Sequence, residues 1–225
     1  MTELTRLANA DAHLRAAYGS PELPESSSGW QRFVRTLLIG PVADPISEAV
    51  REALESSALA CPQATSQTST ADLVELLAKV PRGSQKASLL RTTANWWLTT
   101  FGDTDEPDWS HGLDYYRESL RKIRGLGPAT VDELLLFVAR LDVFSLDRGT
   151  LRVAIRHGWL DLPVEDDESQ AFFVRGLRDA AIDLREFSRL ITRVAEAHCG
   201  REPRCDGCPL QPLLPPNGPL NPDSC

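Results

Sequence analysis

Residues 114–159 read "DYYRESLRKIRGLGPATVDELLLFVARLDVFSLDRGTLRVAIRHGW" and contain the most informative motifs of the sequence. The first part of this stretch, 114–123, carries apolar residues at helical spacing and runs into the turn Gly125-Leu126-Gly127. Pro128 then suits the first position of a second helix, which the apolar pattern continues to 141. The stretch therefore predicts a helical hairpin, followed by a further helix from residue 148.

A hairpin with two glycines in its turn can hold a phosphate group of a nucleic acid. The glycines let the backbone pass close to another surface, and the second helix presents its free N–H groups there. Such a contact needs no positive side chain. On the glycines alone, a plain helical hairpin with glycine caps explains the pattern equally well.

Apolar residues recur at helical spacing along almost the whole chain, and no run alternates strictly between apolar and polar residues. The predicted fold class is therefore all-α. The predicted helices are 2–17, 29–40, 45–58, 71–80, 86–101, 114–123, 129–141, 148–158, 167–182 and 184–199. Loops are predicted where helix breakers cluster, at 62–70 and 102–112 and in the Pro-rich tail from Pro209.

The composition is typical of a globular cytoplasmic protein. Of the 225 residues, 42% are hydrophobic and 25% charged. No apolar run is long enough to cross a bilayer, and the N-terminus lacks the apolar core of a signal peptide, so no membrane partner is expected. Thiols stay reduced in the cytoplasm, and clustered cysteines there favour a metal site over disulfides.

The charge pattern leaves room for a nucleic-acid partner. A net charge of −8 mildly disfavours one, but phosphate affinity depends on local clusters of positive charge. Arginines recur from residue 148 onward, and they fit either a basic face or ordinary solvated helix faces interleaved with acids. They are Arg148, Arg152, Arg156, Arg175, Arg178, Arg185, Arg189, Arg193, Arg201 and Arg204.

Three cysteines stand close together in "CGREPRCDGC", residues 199–208. A tetrahedral metal or an iron–sulfur cubane normally takes four thiolates, so a fourth ligand has to be found. Cys61 is distant in sequence and lies where small buried thiols are common, and His198 is awkwardly adjacent to Cys199. Cys225 is reached through the linker 209–224, and closing a loop of that length costs little extra entropy.

Taken together, these motifs resemble the endonuclease III branch of the helix-hairpin-helix DNA glycosylase superfamily. The segments "LRKIRGLGPAT", "VFSLDRGTLRV" and "CGREPRCDGC" follow the order of that family's hairpin, aspartate and cluster cysteines, and the resemblance runs from about Trp30 to Cys208. It implies two helical domains with a DNA-binding groove between them. One would be a six-helix barrel at 29–141, and the other an iron–sulfur cluster domain made of 1–28 plus 142–225.

The resemblance also implies roles for individual residues. Asp147 is the expected catalytic residue, a carboxylate that stabilises the sugar cation as the base departs or orients an attacking water. An aspartate before a helix is also an ordinary N-cap, and both roles can coexist. The hairpin is expected to bind the DNA backbone through its glycine amides. The full set of expected DNA-binding residues is Gly125, Leu126, Gly127, Thr130, Arg148, Arg201 and Arg204.

The family's cluster cysteines are spaced C-x6-C-x2-C-x5-C, whereas here five residues separate the first two, and the expected fourth position falls near Leu214. The expected cofactor is a [4Fe–4S] cluster that pins the tail and holds the Arg201–Arg204 loop against DNA. Zinc on the same thiolates is the alternative cofactor. A third possibility is that the cysteines are the remnant of a site that no longer binds metal. The expected ligands are Cys199, Cys205, Cys208 and Cys225.

Two departures from the family bear on activity. Lyase members carry a lysine two residues after the second hairpin glycine, and here that position is Ala129, whose methyl group cannot attack the sugar. Lys122 on the preceding helix cannot be assumed to replace it. Pro41 stands where relatives have a glutamine that helps fill the gap left by the displaced base.

The function expected is a monofunctional DNA N-glycosylase of base excision repair that lacks AP-lyase activity. The alternative is a non-catalytic protein that binds abasic or distorted DNA on a glycosylase scaffold. A third class is a metal-stabilised interaction module whose partner is not DNA. The expected partner is double-stranded DNA with damaged or abasic sites, bound by a monomer in the cytoplasm that associates with the nucleoid on DNA.

Overall fold

The computed structural model describes residues 3–21, 28–40, 47–164 and 166–221. These residues form α-helices, short 3-10 turns at Ser57–Leu59 and Gln211–Leu213, and an isolated backbone bridge between Cys199 and Pro203. The all-α prediction is confirmed. The helices are α1 (Glu3–Tyr18), α2 (Gly29–Ile39), α3 (Glu48–Glu55), α4 (Pro62–Gln67), α5 (Thr70–Leu76), α6 (Gly83–Phe101), α7 (Leu113–Arg121), α8 (Pro128–Phe137), α9 (Arg148–Arg156), α10 (Asp166–Asp179) and α11 (Leu184–His198).

The chain divides into two compact units. The first unit joins 1–23 to 142–225, so helix α1 shares a core with segments that follow it by more than a hundred residues. The second unit is the continuous segment 24–141. Among the described ranges, no helix combines the length and the apolar character that a membrane crossing requires.

The core of the second unit is built around aromatic side chains of α2 and α6. Trp30 and Phe33 stack with their ring centroids 5.6 Å apart, and Trp97 meets both of them edge-on at 5.2 and 5.3 Å. The indole N–H of Trp30 donates to the carbonyl oxygen of Leu59 at 3.1 Å, so the buried ring keeps its polar group satisfied. These aromatic contacts fix α2 against α6, and α2 in turn packs against the hairpin helix α8.

Helix α4 contradicts the predicted loop at 62–70. Pro62 takes the first helical position, and Cys61 caps the helix because its Sγ accepts the N–H of Ala64 at 3.4 Å. Thr65 is fully buried, and its hydroxyl donates to the carbonyl oxygens of Ala58 and Cys61. The polar composition concealed this helix because packing against α6, rather than an apolar stripe, stabilises it. The described part of 24–141 therefore holds seven α-helices where six were expected.

The core of the first unit is completed by α1. Leu7 and Leu14 of α1 are fully buried and pack in one cluster with Phe144, Phe173 and Phe187. The rings of Phe144 and Phe173 stack at 4.5 Å, which is typical of a tightly packed interior. Helices α9 and α11 rest on this cluster, and they carry Asp147 and Cys199 at their ends.

Candidate functional site

The hairpin of the second unit consists of α7, a turn and α8. Ile123 and Leu126 in the turn point inward, and each is only 8% exposed. Gly125 has a φ of +101°, which residues with a Cβ rarely adopt, while Gly127 has a φ of −77° and is the N-cap of α8. Pro128 follows at the first helical position. Helix α7 ends at Arg121, so the turn begins earlier than predicted.

The two glycines present exposed backbone on this hairpin. Within the described residues, neither amide N–H donates a hydrogen bond, and a Cβ added to Gly127 would meet nothing within 4 Å. Thr130 lies in the first turn of α8, where N–H groups also point out of the helix end. Leu126 differs, because its N–H donates to the carbonyl oxygen of Ile123 at 3.1 Å and its side chain anchors the turn. The geometry suits a phosphate held by backbone amides.

The lysine position of the hairpin holds Ala129, the second residue of α8. Lys122 follows α7 with its side chain 72% exposed, and its Nζ lies 2.8 Å from Glu118 Oε1. This hydrogen bond lowers the pKa of Glu118 below its ordinary value. Lys122 is therefore oriented along its own helix. Pro41, the other departure from the family pattern, lies outside the described residues.

Asp147 is the N-cap of α9, which confirms the capping role that the sequence predicted for it. Its Oδ1 accepts the N–H of Thr150 at 2.6 Å, whereas Oδ2 accepts no hydrogen bond from the described residues. Helix α11 passes close by, since a Cβ on Gly149 would lie 3.0 Å from the Cβ of Ala195 and 3.4 Å from Asp147 Oδ1. The residue after Asp147, Arg148, is exposed and forms no ion pair with it within the described residues.

A second acidic residue, on α11, is affected by the charge of Asp147. Glu196 follows Ala195 on that helix, and its side chain is exposed at the surface. Partial desolvation of the carboxyl group, and then the charge of Asp147, raise the pKa of Glu196 above its ordinary value. No local sequence pattern singled out Glu196, because its proximity to Asp147 depends on how α9 packs against α11.

Three of the predicted ligands line a single pocket of the first unit. The pocket is small, with a cavity volume of about 20 Å³, and is partly open to solvent. Cys199 is buried at the end of α11, while Cys205 and Cys208 are half-buried in the following loop. Burial, and to a smaller extent the two other thiols, raise the pKa of Cys208. The remaining apolar wall includes Val153, Val194, Leu210, Leu214 and Pro219.

A buried guanidinium joins this cysteine loop to α9. Arg156 is only 4% exposed, and its Nη1 donates to Cys199 Sγ at 3.1 Å and to the carbonyl oxygen of Gly200 at 2.8 Å. Its Nη2 donates to the carbonyl oxygen of Arg201 at 2.7 Å. Arg152, one turn earlier, donates from Nε to the carbonyl oxygen of Cys199 at 2.8 Å. Arg156 therefore holds the cysteine loop against α9 through one sulfur and two carbonyl oxygens.

The other loop arginines are partly engaged in holding the loop. Arg204 donates from Nη2 to the carbonyl oxygen of Ala197 and from its N–H to that of His198, both at 2.8 Å, and so caps the end of α11. Arg201 keeps an exposed side chain, and only its carbonyl oxygen is bound by Arg156. Both residues are exposed at the surface.

The tail of the chain returns to this region. The N–H of Leu220 donates to the carbonyl oxygen of Arg156 at 3.0 Å, and Pro219 lines the cysteine pocket. Cys225, the fourth ligand predicted, lies outside the described residues. Among the side chains that the structure describes, no three His, Cys, Asp or Glu residues are arranged as ligands of a metal ion.

Comparison with known proteins finds similarity to DNA glycosylases, as the motifs predicted. No family model matches the chain. A Methanocaldococcus jannaschii protein named "Putative DNA repair glycosylase" is 26% identical over 140 residues, which are 62% of this chain and 64% of that protein. The match therefore spans a little under two thirds of the relative's length.

Solved structures share the fold over nearly the whole chain. An endonuclease III trapped as a covalent intermediate on DNA has a TM-score of 0.71 at 14% identity, covering 95% of this chain and 96% of that one. A 3-methyladenine DNA glycosylase from H. pylori bound to 1,N6-ethenoadenine has a TM-score of 0.64 at 16% identity, covering 88% and 98%. The resemblance drawn from the motifs is thereby confirmed, and the chain has the fold of the endonuclease III-like, helix-hairpin-helix DNA glycosylase superfamily.

Proposed function

We propose that this protein is a DNA N-glycosylase that removes a damaged base from duplex DNA and leaves the abasic strand uncut. The observation that carries the proposal is Asp147, which caps α9 through Oδ1 and keeps Oδ2 free of protein partners within the described residues. The named relative and the solved DNA complexes support the same class of activity. The proposal includes action as a monomer in the cytoplasm, in association with the nucleoid when bound to DNA.

The hairpin holds the DNA backbone in this proposal. The exposed backbone of Gly125 and Gly127 and the N-terminal N–H groups of α8 would donate to phosphate oxygens, with the helix dipole favouring the negative charge. Such contacts fix position and register without reading the bases. The buried side chain of Leu126 keeps the turn in place while the glycines approach the phosphate.

Asp147 supplies the charge that base release requires. The target nucleotide must first be rotated out of the duplex, so that its sugar can meet the carboxylate. As the bond between C1′ and the base breaks, positive charge develops on the sugar, and a carboxylate positioned beforehand stabilises it. Water then adds to C1′. Ala129 offers no amine to attack the sugar, so no covalent adduct forms and the strand stays intact.

The direct test is base release from a broad panel of lesion duplexes, combined with borohydride trapping on abasic DNA. Asp147→Asn keeps the cap and should lower release by about 100- to 1,000-fold while leaving DNA binding largely intact. Asp183→Asn is the matched control, because Asp183 is likewise the N-cap of its helix, α11. Efficient borohydride trapping would show that a covalent adduct forms despite Ala129 and would overturn the proposed lack of lyase activity. Unchanged release by Asp147→Asn would overturn the role of Asp147.

The alternative is a protein that binds abasic or distorted DNA and catalyses no reaction. The observation that favours it is Ala129, which stands where lyase members of the family have a lysine. It predicts salt-dependent binding that Gly127→Ala weakens, with Asp147→Asn silent. If wild-type protein releases no base from the panel yet binds lesion DNA in this way, the alternative replaces the glycosylase. Absence of any DNA binding at low salt would instead favour an interaction module with a different partner.

We propose further that the cysteine pocket holds a [4Fe–4S] cluster. The donor set fits, since three thiols line one pocket and Arg156 donates a hydrogen bond to Cys199 Sγ. The fourth thiolate in this proposal is that of Cys225, which lies outside the described residues. The described tail runs beside the pocket, since Pro219 lines it and the N–H of Leu220 donates to the carbonyl oxygen of Arg156.

The spacing of the cysteines favours a cluster over zinc in this proposal. A zinc site usually shows two short CxxC-type pairs, whereas the spacing in residues 199–208 resembles the cluster loop of the family. Such a cluster would supply iron–thiolate bonds that hold the cysteine loop in place, and it would take no part in base release.

Visible absorption and metal analysis of the purified protein test this proposal. A broad band near 400 nm with about four irons per chain indicates the cluster, whereas colourless protein with bound zinc refutes it. Cys225→Ser should lose iron, and Cys61→Ser, in the other unit, should not. A full and stable cluster in Cys225→Ser would exclude Cys225 as a ligand.

A further inference from the structure

The segment 142–147 ends at Asp147, just before α9, and forms neither a helix nor a strand. Val143, Phe144 and Ser145 in its middle are buried, each with at most 4% of its surface exposed. Buried N–H and C=O groups need hydrogen-bond partners, and regular structure does not provide them in such a segment. Within the described residues, Phe144 takes part in no hydrogen bond between two backbone groups. Its partners have to be side chains.

The side chain of Gln170, on α10, supplies both hydrogen bonds to the backbone of Phe144. Oε1 of Gln170 accepts the N–H of Phe144 at 3.0 Å, and Nε2 donates to the carbonyl oxygen of Phe144 at 2.6 Å. A side-chain amide offers one acceptor and one donor group, as a backbone residue does, whereas a carboxylate offers acceptors alone. Gln170 therefore pairs with Phe144 in the way that a residue of a neighbouring strand would.

Two further contacts from α10 hold the same segment. The ring of Phe173 stacks on that of Phe144 with the centroids 4.5 Å apart, and Arg178 Nη2 donates to Asp142 Oδ2 at 2.6 Å. Helical spacing places Gln170, Phe173 and Arg178 on one side of α10. The ion pair of Arg178 is exposed and contributes little, so the buried contacts at Phe144 hold the segment.

The position of Phe144 is transmitted to Asp147 through two packed residues. Ser145 is buried, and Leu146 packs against the core of the first unit. Asp147 then caps α9 through the N–H of Thr150, which is itself buried. Because closely packed interiors transmit displacements, a shift of Phe144 should move the Asp147 carboxylate. A misplacement of about 1 Å in a reaction centre can lower a rate by about 100-fold.

We propose that Gln170 is a positioning residue for base release, which sets the place of the Asp147 carboxylate by pairing with the backbone of Phe144. This role rests on the proposed glycosylase function. Gln170 acts through Phe144 and does not itself meet the reacting atoms. The hairpin that would hold the DNA backbone belongs to the second unit. Loss of the Gln170 amide should therefore slow base release and leave duplex affinity unchanged.

The first experiment measures the positioning without any need for base release. Gln170→Met removes both hydrogen bonds at nearly constant length, and Gln170→Glu removes the donor alone. Amide hydrogen exchange, followed by NMR, reports the cap that Asp147 makes with Thr150. Exchange of the Thr150 N–H should become faster by about 10-fold in Gln170→Met and by less in Gln170→Glu.

The internal control is the N–H of Arg185, which donates to Asp183 Oδ1 at the start of α11 in the same unit. Its exchange should match wild type. Equal acceleration at Thr150 and Arg185 would show a general loss of stability and would overturn the proposal. Unchanged exchange at Thr150 would overturn it as well, because Asp147 would then keep its place without Gln170.

The second experiment compares single-turnover base release with duplex affinity on the best substrate of the lesion panel. Gln170→Met should lower the rate by about 10- to 100-fold, with the affinity for the duplex equal to that of wild type. Asp183→Ala is the control for lost stability, because it removes the cap of α11 in the same unit. Its rate of release should match wild type.

The two experiments separate the possible failures. Base release by Gln170→Met at the wild-type rate would refute the role of Gln170 and leave the glycosylase standing. An equal loss of rate in Asp183→Ala would reduce Gln170 to a residue that stabilises the fold. Absence of base release by wild type, with faster exchange at Thr150 alone in Gln170→Met, would refute the glycosylase function and leave Gln170 as a residue that positions Asp147 for no reaction.

Discussion

At the scale of single residues, Arg156 joins α9 to the cysteine loop. Arg156→Lys keeps the charge but cannot donate in the same fork to a sulfur and two carbonyl oxygens. Unsatisfied buried acceptors should lower the free energy of unfolding by about 2 kcal/mol, measured by urea denaturation. Arg178→Lys is the control, because Arg178 pairs with Asp142 at the exposed surface, where the expected change is below about 0.5 kcal/mol. Equal losses would contradict the proposed anchoring.

Asp183 carries a pH-dependent part of the stability of the first unit. Desolvation raises its pKa, but hydrogen bonds from Arg185 and from the N–H of Glu186 outweigh desolvation, and the pKa of Asp183 is lowered overall. A carboxyl pKa that folding lowers stabilises the protein above the ordinary value of about 4, and this contribution disappears as the pH falls further.

Asp183→Ala should therefore lower the free energy of unfolding by about 1 kcal/mol at pH 7. The difference from wild type should shrink near pH 3, where wild-type Asp183 is increasingly protonated and its cap is weaker. Asp183→Asn should retain most of the cap at both values. Urea midpoints at the two pH values check the prediction, and a difference independent of pH would contradict it.

The residues of the candidate site divide into those that the sequence could predict and those that it could not. The hairpin glycines and Asp147 stand in local motifs, and the structure places them at a turn and at an N-cap. Glu196 and Arg156 carry no motif. Their environment exists only because α9 packs against α11 and the cysteine loop, so spacing along the chain could not reveal it.

At the scale of elements, periodicity predicted the helices that present an apolar stripe to a core. Helix α11, for instance, was predicted at 184–199 and is found at Leu184–His198. Helix α4 was not predicted because its residues are mostly small and polar, and because packing against α6 stabilises its helical conformation. Local chemistry therefore predicted the position of α11 closely, whereas α8, predicted to reach 141, ends at Phe137, and the existence of α4 was not predicted.

The start of α6 depends on a glycine that packs against backbone. A Cβ on Gly83 would lie 1.9 Å from the carbonyl oxygen of Leu77, and a backbone atom cannot easily move away. Gly83→Ala should therefore lower the free energy of unfolding by about 3 kcal/mol. Gly127→Ala, where a Cβ meets open space and φ is −77°, should change it by less than about 0.5 kcal/mol.

Urea denaturation compares the two glycine variants directly. Gly127→Ala should nevertheless weaken duplex DNA binding, because its methyl group would stand between the backbone and a phosphate. Similar stability losses in both variants would contradict the open space beside Gly127.

At the scale of the whole molecule, α1 should stabilise segments that follow it by more than a hundred residues. Leu14 is fully buried in the core of the first unit, while Leu4 on the same helix is 39% exposed. Leu14→Ala should cost about 3 kcal/mol and Leu4→Ala less than about 0.5 kcal/mol. Hydrogen exchange should show faster exchange in α10 and α11 for Leu14→Ala, with α6 unchanged. Faster exchange in α6 alone would contradict the division into units.

The split of the first unit across the chain has a consequence for biosynthesis. Helix α1 leaves the ribosome early, but Phe173 and Phe187, against which it packs, are polymerised only after the whole of 24–141. At a translation rate of roughly 5–20 residues per second, the apolar face of α1 stays without its partners for on the order of 10 s. The second unit can fold during that interval, and the cysteine loop is made after it. The nascent α1 therefore exposes its apolar face until α10 and α11 have been made.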